Sequence, residues 1–226
     1  MNSGQTWSTP VKAIDAVSYS DFPVDRPWLA VDNSGNESDG TIYLTTKSIK
    51  EAPLPHKIWL TKSVDGGLTW STIVRIDTPI QTSLIHNSMG VPAVDANGRL
   101  QIAYISYDLS QSVNARFILS TSTDQGQTFS QSQILNLSSN SGLGAADSLY
   151  QGSYSLSANP LLADNLILIF VDNRNGDPDI FESHRIISNW STERRINDDT
   201  LSNGKGQDMC WGNFSTTGKY SCAWRD

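Results

Sequence analysis

Four segments of this chain repeat one another at an interval of about 60 residues, and a repeat of that length constrains the fold more than any other feature. They read TWSTPVKAI (6–14), TWSTIVRID (69–77), TFSQSQILN (128–136) and NWSTERRIN (189–197). Their aromatic residues, Trp7, Trp70, Phe129 and Trp190, are almost evenly spaced. Two segments extend a longer motif, SVDGGLTW (63–70) and STDQGQTF (122–129), both Ser-x-Asp-x-Gly-x-Thr-aromatic. The first segment keeps only NSGQTW (2–7), with Asn2 in the Asp place. The fourth, SHRIISNW (183–190), keeps Ser183 and Trp190 but has neither Asp nor Gly.

The motif makes physical sense as a hairpin turn. An Asp carboxylate accepts bonds from backbone amides just ahead of it, and Gly supplies positive φ at no steric cost. Ser63, Asp65, Gly67, Thr69 and Trp70, and likewise Ser122, Asp124, Gly126, Thr128 and Phe129, are therefore read as structural. The carboxylates hold the turn, and the aromatic opens the next strand.

Each repeat has room for four strands. The first gives WLAVD (28–32), TIYLTT (41–46), KIWLTKS (57–63) and WSTIVRI (70–76). The second gives VPAVD (91–95), LQIAYIS (100–106), RFILSTS (116–122) and FSQSQIL (129–135). The third gives YSLSAN (154–159), LILIFVD (166–172), DIFESHR (179–185) and STERRI (191–196). A fourth starts with CWGNFS (210–215) and KYSCAW (219–224). Period-two alternation is clear in several, turn residues separate most, and no helical periodicity stands out. Abundant Ser, Thr, Asn, Asp and Gly with only four Glu agrees with an all-β chain. Four antiparallel strands repeated radially give a β-propeller; a sandwich or solenoid is the alternative.

The Ser-x-Asp-x-Gly-x-Thr-Trp repeats resemble the Asp boxes, or bacterial neuraminidase repeats, of the sialidase superfamily. DRPWLAVD (25–32) and QGSYSLSANPLLADNLILIFVDNRNGDPDIF (151–181) resemble blade openings of the same group. The resemblance covers nearly the whole chain and implies a secreted, cell-surface or periplasmic propeller, six-bladed in sialidases. The 226 residues hold about 3.7 repeats, expected at about 25–78, 89–137, 150–197 and a partial 207–226 joined by 1–16. Both ends fall within a blade, so the chain is expected to be one propeller region of a larger protein. A four-bladed ring closed by strand 6–14 against 210–224 is the alternative.

In such a propeller the Asp-box turns lie on one face, while the B–C loops and D–A connections share the other, where sialidases keep their active site. That places Asp25, Arg26, Asp108, Arg174 and Arg225 together, with Tyr107, Asp172, Asp177, Asp226, His86, Asp147 and Tyr150 as neighbours. Three arginines on one face resemble the sialidase clamp for a substrate carboxylate, for which guanidinium forks are suited. The resemblance would make Asp25 or Asp108 the acid and Tyr150, or Tyr154, the nucleophile. Asp-Arg-Pro-Trp lacks the Ile of the family's Arg-Ile-Pro element. None of Glu37, Glu51, Glu182 and Glu193 is obviously placed beside a tyrosine. Arg174 and Arg225 sit at similar places in their repeats and also read as turn residues, Arg174 pairing with Asp172 or Asp177.

Other chemistries find little support. A net charge of −7 offers no basic stripe for nucleic acid. No apolar run is long enough to form a membrane-spanning helix, and no signal peptide opens the chain. His56, His86, His184, Cys210 and Cys222 lack zinc spacing, so no metal or cofactor is expected. DNRNGDPD (172–179) is rich in oxygen ligands but reads better as an Asn-Gly turn. Cys210 and Cys222 read as buried thiols or a cross-strand disulfide. Two functions follow: a sialidase-type glycoside hydrolase acting on glycans, or a non-catalytic extracellular propeller binding glycan or protein.

Overall fold

The computed structural model describes residues 5–19, 23–49, 52, 56–81, 89–108, 110–137 and 154–226. Four antiparallel sheets follow one another along the chain. The first contains β1 (Asp25–Val31), β2 (Ile42–Lys47), β3 (Ile58–Ser63) and β4 (Val74–Arg75), paired in that order. The second contains β5 (Val91–Val94), β6 (Leu100–Ser106), β7 (Arg116–Ser122) and β8 (Ser130–Asn136). In the third, β9 (Tyr154–Ala158), β10 (Leu166–Asp172) and β11 (Asp179–Ile186) are followed by β12 (Asn189–Trp190) and β13 (Arg194–Arg195), both on β11. The fourth is the pair β14 (Asp208–Phe214) and β15 (Tyr220–Arg225).

Successive sheets pack face to face, and side-chain alternation decides which face meets which neighbour. In β6, Ile102 and Tyr104 meet Tyr43, Ile58 and Leu60 of the first sheet. Ala103 and Ile105, from the same strand, meet the third sheet. In β10, Leu166, Leu168 and Phe170 face the second sheet, while Ile167, Ile169 and Val171 face Cys210, Phe214 and Trp224 of the fourth. Every residue of β6 and β10 is buried. That is why LILIFV reads as a continuous apolar run rather than an alternating one.

The outer strands are shorter than the sequence suggests in the first and third sheets. The expected strands 70–76 and 191–196 reduce to Val74–Arg75 and Arg194–Arg195. In both, the serine after the aromatic bonds the neighbouring strand through its side chain. Ser71 accepts the Lys62 amide on its hydroxyl at 3.1 Å, and Ser191 accepts the His184 amide in the same way at 3.0 Å. A side chain thus takes a place in the ladder that the backbone would otherwise fill. Segment 6–14 forms no strand; Trp7 is 88% exposed, and the fourth sheet keeps two strands.

The turns at Asp65 and Asp124 are satisfied from within. Asp65 Oδ1 accepts the Ser63 hydroxyl at 2.7 Å and the Thr69 amide at 2.9 Å, and Oδ2 accepts the Thr69 hydroxyl at 2.6 Å. Ser63 Oγ in turn accepts the Gly67 amide at 2.8 Å. Asp124 repeats the pattern with Ser122 and Thr128 and adds the Gln127 amide. Gly126, at φ 81°, lies so close to the first sheet that a Cβ there would meet Leu60 Cδ2 at 2.5 Å. The third sheet, lacking Asp and Gly, turns through Ile187 and Ser188, both at positive φ, and borrows Asp164 as acceptor for the Ser188 amide.

These bonds leave a pH signature. The Thr69 hydroxyl, then its amide and the Ser63 hydroxyl, hold Asp65 down from 3.8 to about 2. At Asp124 burial pushes upward, but the bonds from Thr128, Ser122 and Gln127 outweigh it, so this carboxyl also lies well below the usual range. A depressed folded pKa contributes stability above the unfolded value, and that contribution fades as pH falls through the folded one. Wild-type Tm should therefore decline between about pH 4 and about pH 2. Asp65→Asn with Asp124→Asn should start lower and decline less over that interval. Parallel melting curves for both proteins would show that these carboxylates carry no linkage.

Cys210 and Cys222 are thiols, not a disulfide, in the contact between the third and fourth sheets, Cys210 buried and Cys222 half-buried. Burial pushes the Cys210 thiol up to about 12, which makes it unreactive.

Candidate functional site

The first strands of the four sheets, β1, β5, β9 and β14, surround a channel of about 700 Å³. At one end each strand closes in a turn capped by its own side chain. Asp32 accepts the Ser34 amide, Asp95 the Asn97 amide, Asn159 the Leu161 amide and Ser215 the Thr217 amide. These four residues occupy equivalent positions and fix the register of the inner ring.

At the opposite end the first and fourth sheets share a device. Asp25 opens β1 opposite Lys47, and Asp208 opens β14 opposite Arg225. Register shifts at Asp25/Trp28 and Asp208/Trp211, and the second residue of each, Arg26 (φ 47°) and Met209 (φ 52°), is left-handed. Such a bulge re-aims the side chains that follow it. Those side chains are Trp28 and Trp211, whose rings stack at 4.7 Å with 14° between planes. The Lys47 ammonium reaches Asp25 at 2.6 Å, and Arg225 grips both oxygens of Asp208 at 2.8 and 2.5 Å.

The contact continues around the ring. Trp28 Nε1 donates to Met89 Sδ at 3.0 Å. The Tyr154 hydroxyl donates to the Met89 carbonyl and accepts the Met89 amide at 3.2 Å. Trp211, Trp28, Met89 and Tyr154 thus link the fourth, first, second and third sheets across the channel mouth.

The residues selected from sequence are distributed over this face as follows. Asp25 and Arg26 lie in the bulge of β1, and Asp25 is ion-paired with Lys47. Arg225 ends β15, paired with Asp208. Its counterpart in the first sheet is Lys47; by the same register the third-sheet counterpart is Val171, so Arg174 is not equivalent to Arg225. Arg174 lies beyond β10. It bonds Asp172 Oδ2 at 3.0 Å and sits 4.4 Å over the Phe181 ring, so the partner is Asp172 rather than Asp177. Asp177 instead accepts the Gly204 amide. Asp108 is 5% exposed and caps its loop by accepting the Ser110 amide and hydroxyl. Tyr154, considered as a nucleophile, is 1% exposed with its hydroxyl on Met89. Tyr150, Asp147, His86 and Glu51 lie outside the described residues. In 172–179 the oxygens serve the turn itself: Asn175 bonds Asp179 at 2.8 Å, and Gly176 takes φ 106°. Among the described residues no group of three or more His, Cys, Asp or Glu is placed to hold a metal ion. Nor is any helix among them long and apolar enough to cross a membrane.

Two features escaped the sequence reading. One is the twin Asp-x-x-Trp, at 25–28 and 208–211, separated by three repeat lengths. Its spacing was available, but Met209-Cys210 does not resemble Arg26-Pro27. The other is a polar network around Asn197, buried at 6%, which donates to Asp179 at 2.7 Å, Asp199 at 2.6 Å and Gln207 at 2.9 Å. Arg195 joins it through Asp179 and Asp199. The Asn197 amide, followed by smaller contributions, lowers the Asp199 pKa. Its parts come from three separated stretches, so no local pattern announced it.

No family model matches this chain, and no curated protein does. Solved structures do. The α-L-arabinanase of Penicillium chrysogenum, complexed with arabinobiose, aligns with a TM-score of 0.58 at 22% identity, over 88% of this chain and 56% of that one. The α-L-arabinofuranosidase Arb93a of Fusarium graminearum, with an iminosugar inhibitor, aligns at 0.60 and 20% identity, over 91% and 57%. A Hadza microbial sialidase aligns at 0.53 and 16% identity, over 88% and 39%. The chain therefore has the sialidase-like β-propeller fold these glycosidases share, and it spans little more than half the length of the first two.

Proposed function

We propose that this chain is a glycan-acting propeller of the glycoside-hydrolase type, placed outside the cell or in the periplasm. The observation that carries the reading is the channel mouth. A stacked tryptophan pair there is flanked by two carboxylate–cation pairs, Asp25–Lys47 and Asp208–Arg225. Flat apolar rings beside a few convergent polar groups are the usual furnishing of a small-ligand site. The solved structures with this fold include an arabinanase, an arabinofuranosidase and a sialidase, which supports glycoside cleavage as the class of reaction. In the sialidase-type form of the proposal, Arg26, Arg174 and Arg225 clamp a carboxylate, Asp25 or Asp108 is the acid and Tyr150 the nucleophile.

A second reading, glycan binding without hydrolysis, is favoured by one observation. Arg174 and Arg225 are already committed to Asp172 and Asp208. Fluorogenic sialoside and arabinofuranoside substrates separate the two. The hydrolase reading expects turnover of at least one, with kcat/KM reduced tenfold or more by Arg225→Ala, about 1.4 kcal/mol. No turnover above background with either substrate leaves the binding reading. Turnover unchanged in Arg26→Ala and Arg225→Ala removes the arginine clamp.

A further inference from the structure

The channel itself specifies its ligand more closely than the fold does. Among the described residues that line it there is no Lys, Arg or His. Its one acidic side chain, Asp95, is occupied by Arg99 at 2.7 Å and by the Asn97 and Arg99 amides. Beyond the ion-paired Lys47 and Arg225 at the mouth, a carboxylate or phosphate would lose hydration and meet no cationic side chain of the lining, which is costly in a confined site. A neutral ligand meets no such penalty.

The remaining lining combines a flat aromatic surface with small amide and hydroxyl groups. Trp211 lines the channel and is 45% exposed although stacked on Trp28, so part of its indole remains open. An aromatic face is electron-rich and attracts the weakly positive C–H groups of a sugar ring. Asn33, Asn213 and Thr216 also line the walls and carry amide and hydroxyl groups able to bond sugar hydroxyls. The volume lies within the range of small-ligand sites.

We propose that the channel is a binding site for a neutral oligosaccharide, with the Trp28–Trp211 pair as its stacking platform. This inference rests on the glycan reading above and narrows it to uncharged sugars. The test is titration of intrinsic tryptophan fluorescence with a neutral arabino-oligosaccharide and, separately, with sialyllactose, in wild type and in Trp211→Ala. Trp211 lies on the exposed side of the two-stranded fourth sheet, and circular dichroism verifies that the variant is folded. Saturable binding of the neutral sugar, weakened at least tenfold in Trp211→Ala, with no response to sialyllactose, is the expected result. Binding of sialyllactose alone overturns the neutral site but leaves the glycan reading standing. Binding of neither sugar removes both. Binding of the neutral sugar undiminished in Trp211→Ala places the sugar elsewhere and overturns the platform. A blue shift that grows with protein concentration, with no sugar response, means that a second copy covers the channel, which also overturns the proposal.

Discussion

Replacing Phe170 with alanine should cost about 3–5 kcal/mol, the largest loss expected from any single side chain here. Phe170 is fully buried at the centre of the contact between the second and third sheets. Its ring lies 5.2 Å from Phe117 and 5.9 Å from Phe181, and Phe117 in turn meets Tyr154 edge-on at 5.1 Å. These rings form one continuous aromatic seam, so the cavity left by alanine has rigid walls that cannot collapse into it. A domain is usually stable by only about 5–15 kcal/mol, so this loss removes a large share of the total. Urea denaturation followed by circular dichroism measures it. Phe170→Leu, which refills most of the volume, should lose far less. A Phe170→Ala protein within about 1 kcal/mol of wild type would show that the seam is not where the sheets are joined.

Gly212→Ala comes second, at about 1–3 kcal/mol for inserting a methyl group into a packed contact. A Cβ at this position would run into the Tyr220 hydroxyl and stand 2.5 Å from its ring carbon and 3.2 Å from Ile169 Cδ1. The Gly212 carbonyl also accepts the Ser157 hydroxyl at 2.7 Å, so retreat of the β14 backbone would break the tie to β9. Tyr220→Phe should relieve the alanine only in part, because the ring carbon remains too close. Tyr220→Leu should relieve more of it. Additive losses in the Gly212→Ala/Tyr220→Leu double variant would rule out a clash between these two residues. The result matters for function because Gly212 follows Trp211, and displacement of β14 would unstack the tryptophan pair.

Legibility of the fold followed the range of the interactions involved. Turns such as 63–70 and 122–129 close within a few residues, so their bonding is written in their composition. The strands of the middle sheets were legible because both faces are buried. The outer strands were overestimated at 70–76 and 191–196, where the Ser71 and Ser191 hydroxyls take ladder bonds; Ser130, in the same place, opens the full-length β8, so residue type alone does not separate the two outcomes. In the candidate site, the shared face of Asp25, Arg26, Asp108, Arg174 and Arg225 followed from blade topology. Their partners did not follow, since Asp208 and Arg225 stand at the far ends of a paired hairpin, as do Asp25 and Lys47, and only strand register brings them together.

Local pattern was enough for an all-β chain of recurring four-strand repeats, the hairpin turns at Asp65 and Asp124, and the ends of the channel at which loops gather. All of these depend on period-two alternation and local turn chemistry, which act over a short stretch of chain and recur. Tertiary packing alone sets the stacking of Trp28 on Trp211, the locking of Tyr154 onto Met89 and the pairing of Arg225 with Asp208. These contacts join residues far apart in the chain. They form because curvature of the stacked sheets brings their first strands around a common axis, a consequence of packing that no local pattern encodes.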